Sequence, residues 1–66
     1  MENKLKELRL AAGLSQAQLA EVSGIGKKTI QDYEQGYRDI KKAQGLTLLA
    51  LAKALGCIME DLMSDE

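Results

Sequence analysis

Histidine, proline, tryptophan and phenylalanine are missing from this 66-residue chain, and cysteine occurs once. One cysteine excludes an internal disulfide, and with no histidine the usual Cys/His zinc sites are excluded as well. The lack of proline removes the strongest helix breaker from a composition otherwise rich in good helix formers. Aromatics make up 3% of residues and hydrophobic residues 45%, so leucine, isoleucine and alanine must fill the core. A single domain over residues 1–66 is expected, near the lower size limit for folding without staples. No apolar run approaches the roughly 20 residues of a membrane helix. No signal-peptide apolar segment marks the N-terminus, so a reduced cytoplasmic setting is expected. Catalysis lacks its usual parts. There is no histidine base, Cys57 has no evident activating partner, and no glycine-rich phosphate loop follows a strand. The expectation is a protein that is not an enzyme and needs no cofactor or metal.

Charge of one sign is also scarce: the net value is −1. Its distribution matters more than its total. Residues 60–66 hold four of the ten acids, Glu60, Asp61, Asp65 and Glu66, whereas residues 1–59 hold all nine bases against six acids, a balance of +3. The body is mildly basic and the end acidic, with a short acidic tail over 64–66. That pattern removes the objection to a polyanionic partner without proving one.

What is present is helical periodicity punctuated by glycine. Leu5, Leu8 and Ala12 recur at helical spacing and predict a first helix from about Asn3 to Ala12, closed by Gly13. Ser15 with Gln18 makes a capping-box pattern that opens a second helix, about Gln16 to Ser23. This helix is read as placing Leu19, Ala20 and Val22 near the interior, and it stops at Gly24. A third helix runs from about Lys27 to Gln35, with Ile30 and Tyr33 inward and Gly36 at its end. Tyr37 to Lys41 reads as a charged loop. Leu48, Leu51, Ala52 and Leu55 mark a fourth helix over about Lys42 to Leu55, ended by Gly56. A short fifth helix, about Met59 to Met63, delivers Leu62. Five short helices with short connections predict an all-α orthogonal bundle rather than an up-down one.

The informative segment is Gln16 to Gln35. Two short helices meeting steeply need a small residue at their closest approach, supplied by Ala20. Their turn needs a residue tolerant of positive φ, supplied by Gly24. An aliphatic plug is then required, and Ile25 provides it, while Ile30 and Tyr33 bury the second helix. Five requirements met together point to a helix-turn-helix unit over about 16–35.

Residues 5–62 resemble the lambda-repressor/Cro type of helix-turn-helix, the Xre family. The matching stretches are Leu14-Ser15-Gln16-Ala17-Gln18-Leu19-Ala20, Gly24-Ile25, Ile30-Gln31-Asp32-Tyr33-Glu34-Gln35-Gly36, and Leu48 to Gly56. The resemblance implies a five-helix, lambda-repressor-like bundle. It also implies a sequence-specific, usually dimeric transcription regulator, of a prokaryotic or phage kind, that reads the major groove of a pseudo-palindromic operator in double-stranded DNA. Gln16 then contacts phosphate. Lys27, Lys28 and Thr29 occupy the first turn of the recognition helix, with Gln31 and Asp32 one turn on. Lysine donates to guanine and aspartate accepts from cytosine, favouring G·C-containing half-sites. Arg38, Lys41 and Lys42 are expected at the phosphate backbone. Arg9 and Glu34 match positions that form a structural salt bridge.

Three departures stand out. Gly26 occupies the place of a Ser or Thr cap, Ile58 replaces the usual polar cap of the fifth helix, and Asp32 brings an acid towards phosphate unless Lys28, four residues earlier, pairs with it. Other readings stay open. Gln16, Arg38, Lys41 and Lys42 serve equally well as solvated polar residues. Tyr33 and Tyr37 read as core and core edge, and Cys57 as a small buried hydrophobe. Leu46, Leu49, Cys57, Ile58 and Met59 are expected to form a dimer patch, because one small domain can hardly bury both faces of its fourth helix. The alternative function is a protein-interaction module on the same fold, such as an antitoxin or anti-repressor bound to a co-encoded partner.

Overall fold

Local chemistry in the sequence accounts for most of the helix ends in the computed structural model, which describes residues 4–63. The helices are α1 (Leu5–Ala11), α2 (Gln16–Ser23), α3 (Lys27–Gln35), α4 (Gly45–Leu55) and α5 (Met59–Met63). A single 3-10 turn, Ile40–Lys42, lies between α3 and α4. Among the described residues there is no strand, so the all-α, five-helix expectation stands. The acidic stretch 64–66 and Asn3, the expected start of the first helix, lie outside the described residues.

The core gathers one or more aliphatic residues from every element: Leu5, Leu19, Ile30, Ile40, Leu48, Leu51, Ala52 and Leu62, with Tyr33 among them. Burying each leucine or isoleucine fully contributes about 1.5–3 kcal/mol, which is how so small a chain offsets its ordering entropy without staples. Helix α2 packs on both α3 and α4, α1 rests on α3, and α5 packs against α4 and the 3-10 turn. Ala20 and Ile25 pack against this core from the helix-turn-helix junction, as do Leu8 and Leu14.

Several expectations need correction. Helix α1 ends at Ala11, and Ala12 is its exposed C-cap, with Leu14 rather than Ala12 reaching the core. Val22 is exposed, because an eight-residue helix between two neighbours turns only one narrow face inward. Tyr37 is exposed rather than at the core edge, since the chain reverses at Gly36 and carries it outward. Helix α4 begins at Gly45, not Lys42. The Asp39 carboxylate accepts the Lys41 N–H at 3.0 Å and holds Ile40–Lys42 in its own turn, after which Ala43 and Gln44 are extended. The charged loop thereby hides a core residue: Ile40 is buried.

The turn between α2 and α3 rests on Gly24, which has φ 76° and accepts no side chain without strain. A methyl group there would meet nothing within 4 Å, so the cost of adding one is purely backbone. Gly24→Ala is therefore expected to lower stability by about 1–2 kcal/mol. A urea titration followed by circular dichroism checks this, and an unchanged midpoint would show that the turn tolerates another geometry. Ser23 secures the same turn, its Oγ accepting the Ile25 N–H at 3.1 Å.

Candidate nucleic-acid interface

Helix α2 begins with a complete capping box. Ser15 Oγ accepts the Gln18 N–H at 3.0 Å, and Gln18 Oε1 accepts the Ser15 N–H at 2.8 Å. The reciprocal pair satisfies two backbone donors and leaves the other first-turn N–H groups of α2 without intrahelical partners. Gln16 is the first residue of that helix. It is half-buried rather than simply solvated, because its Nε2 donates to Glu34 Oε1 at 3.0 Å. Its Oε1 accepts from Gln31 Nε2 at 3.2 Å, so the starts of α2 and the middle of α3 are tied together.

Beneath Gln16 lies a buried ion pair. Arg9 Nε and Nη2 donate to the two oxygens of Glu34 at 2.7 and 3.2 Å, and Arg9 Nη1 donates to the Leu14 carbonyl at 2.8 Å. The side chains are only 9% and 3% exposed, so this is the fork-to-fork arrangement that arginine makes with carboxylates away from water. The salt bridge expected from the family resemblance is present, and it links α1 to α3.

Helix α3 presents Lys27 and Lys28 exposed at its first turn, with Thr29 and Gln31 half-buried. Burial of Ile30 and Tyr33 sets that orientation. Asp32 has a side chain 14% exposed and held between two cations: Lys28 Nζ at 3.3 Å and Arg38 Nε at 3.4 Å. The acid is thus neutralised within the chain, by the i−4 lysine anticipated from sequence and by an arginine that was not. Arg38 arrives there because the Gly36 turn folds back, with the backbone N–H groups of Tyr37 and Arg38 donating to the Asp32 carbonyl at 2.8 and 3.2 Å. Lys41 and Lys42 are exposed on the 3-10 turn.

Gly26 precedes α3 with φ −60° and supplies no side-chain cap. A Cβ there would touch only Thr29 Oγ1, at 3.8 Å, an ordinary contact. Gly26→Ser is expected to raise stability by a few tenths of a kcal/mol by capping α3. Thermal melts would read this as an upward shift, and a lower melting temperature would refute it.

The residues suggested for a dimer patch divide. Leu46 is 80% exposed, and Leu49 and Ile58 are exposed with it, whereas Cys57 and Met59 are half-buried and pack against the core. Burial pushes the Cys57 thiol up from its ordinary value, with the Asp61 carboxylate adding to the effect. The thiol therefore stays protonated at neutral pH and acts as a small hydrophobe. Among the described residues no helix is long and apolar enough to cross a membrane, and no group of acids and cysteine could hold a metal ion.

A helix pair joined by a left-handed glycine, a helix start closed by a capping box, and a basic first turn on the second helix define a helix-turn-helix protein. The family model described as Helix-turn-helix matches residues 5–60, and the chain belongs to that family, of the Xre, lambda-repressor-like kind. It is a DNA-binding transcription regulator. Among solved structures it is similar to the restriction-modification controller protein C.AhdI from Aeromonas hydrophila. The identity is 37%, with 89% of this chain and 85% of that chain covered and a TM-score of 0.78. No curated protein sequence matches the chain.

Proposed function

We propose that the chain acts as a homodimer in which two copies of α3 enter successive major grooves of a pseudo-palindromic operator, about 34 Å apart. The observation that carries this reading is the first turn of α3. Lys27 and Lys28 stand exposed there, on a helix whose middle is joined to the start of α2 through Gln31 and Gln16. In this arrangement Lys27, Lys28, Thr29 and Gln31 face base edges. Gln16, Arg38, Lys41 and Lys42 meet phosphates, which set register without reading sequence. Asp32 serves by holding Lys28 and Arg38 in place and accepts from cytosine where one is in reach.

Leu46, Leu49 and Ile58 supply the apolar surface for the second copy, with Cys57 and Met59 behind them. The likeness to a restriction-modification controller protein supports a regulator that controls such a system. Selection of bound duplexes from a random library, followed by sequencing, tests the proposal in one step. It is expected to return two inverted half-sites spaced about one helical turn apart. Enrichment of a single unpaired half-site, or no enrichment at low salt, would sink it.

A further inference from the structure

Asp32 is badly placed for the helix that carries it. It lies in the C-terminal half of α3, towards the end where the helix dipole disfavours negative charge. Its lysine partner precedes it by four residues, the weaker order for an ion pair along a helix. Helix stability therefore gives no reason for this carboxylate. Its partners do. Oδ1 meets Lys28 Nζ at 3.3 Å, and Oδ2 accepts from Arg38 Nε at 3.4 Å. Arg38 is held twice by the same residue, because its backbone N–H also donates to the Asp32 carbonyl at 3.2 Å. The acid is the covered member of the cluster, with a side chain 14% exposed beneath two cations that stay open to solvent.

A lysine is a flexible point charge that pairs with a phosphate on any sequence. Asp32 competes with phosphate for Lys28, and its own charge repels the DNA backbone, so both effects act against binding that ignores sequence. The restraint does not block reading. One ammonium N–H given to Asp32 leaves a pair for O6 and N7 of a guanine. We propose that Asp32 is a positioning residue that raises sequence discrimination by lowering affinity for DNA at large, through its hold on Lys28. The proposal rests on the reading of α3 as the groove helix.

The test titrates wild type, Asp32→Asn, Lys28→Ala and the double variant against a scrambled duplex and the operator recovered from the random library. Asparagine keeps the size of Asp32, but it is neutral and its single oxygen is a poor match for both cations. Asp32→Asn is expected to bind the scrambled duplex about threefold more tightly and the operator little better, so discrimination falls about threefold. Adding Asp32→Asn to Lys28→Ala should lower discrimination no further. An unchanged ratio in Asp32→Asn would overturn the proposal. So would an equal loss in the Lys28→Ala background, since the carboxylate would then be reading a base itself. Melting temperature is expected to stay the same; a lower one with an unchanged ratio would make Asp32 structural and reject the positioning role.

A DNA-free measurement separates this from the groove reading. The Lys28 Nζ and Arg38 Nε–H resonances are expected to move between wild type and Asp32→Asn in nuclear magnetic resonance spectra. If neither moves, the carboxylate does not hold them and the proposal fails, even where DNA binds. If wild type retains no duplex at low salt, the groove reading and the role of Asp32 fall together, whatever those resonances show.

Discussion

Glu34→Ala is expected to destabilise the domain by about 3–5 kcal/mol, enough to unfold much of the population of so small a protein. The substitution strands the Arg9 guanidinium, which is nearly inaccessible to water and, among the described residues, has only the Leu14 carbonyl as its other partner. Desolvation of a charge without its counter-ion dominates the cost, and it far exceeds the ion pair's own net contribution. The same reasoning predicts that the double variant Arg9→Met/Glu34→Leu regains most of the loss, since neither charge is then buried. Urea denaturation of the two proteins reads the difference directly. A single variant that loses under about 1 kcal/mol would show that water reaches Arg9 and that the pair behaves as a surface bridge. The double variant should nevertheless read DNA poorly, because Gln16 loses the acceptor that orients it.

Lys28→Ala and Arg38→Ala are expected to leave stability almost unchanged and to alter DNA binding in different ways. Both bridges to Asp32 involve an exposed cation, and such pairs are worth between nothing and about 1 kcal/mol. Their effect on DNA is separate. On the proposed reading, removing Lys28 deletes a base-edge donor and should reduce discrimination between operator and scrambled duplex by about tenfold. On the same reading, removing Arg38 deletes a phosphate contact. Affinity for every sequence should drop, and the slope of log affinity against log salt should flatten by about 0.9. Titrations of both variants on both duplexes at several salt concentrations distinguish these outcomes. If Lys28→Ala weakens both duplexes equally and Arg38→Ala changes only the operator, the roles are exchanged and α3 sits in the groove in another orientation.

The sequence foretold more of the scaffold than of the contacts on its surface. Ser15 with Gln18, and Gly24 and Gly36 at helix ends, are local signals whose meaning does not depend on the rest of the chain, and the structure bears them out. Ile40 was illegible for the opposite reason. A lone aliphatic among charges has no period, and only the Asp39 turn and the arrival of α5 make it core. Val22 has correct helical spacing but lies on a side of α2 that no neighbour covers. At the interface, the Lys28–Asp32 pair was legible from four-residue spacing, whereas Arg38 reaches Asp32 only through the fold-back after Gly36. The Arg9–Glu34 pair came from a resemblance; its connection outward through Gln16 to Gln31 required three helices in place.

The connections between successive elements are a few residues long, and every element is helical among the described residues. That feature bears on time rather than on affinity. Loop closure costs little when partners are close along the chain, and helical domains of this kind fold in microseconds to milliseconds, on the order of a thousandfold faster than sheet proteins of equal stability. A chain leaving the ribosome would be competent to search for its operator almost as soon as its last helix emerged. If it acts as the proposed homodimer, the delay before it could act would then be governed by the assembly of two copies, a step that depends on concentration, and not by folding.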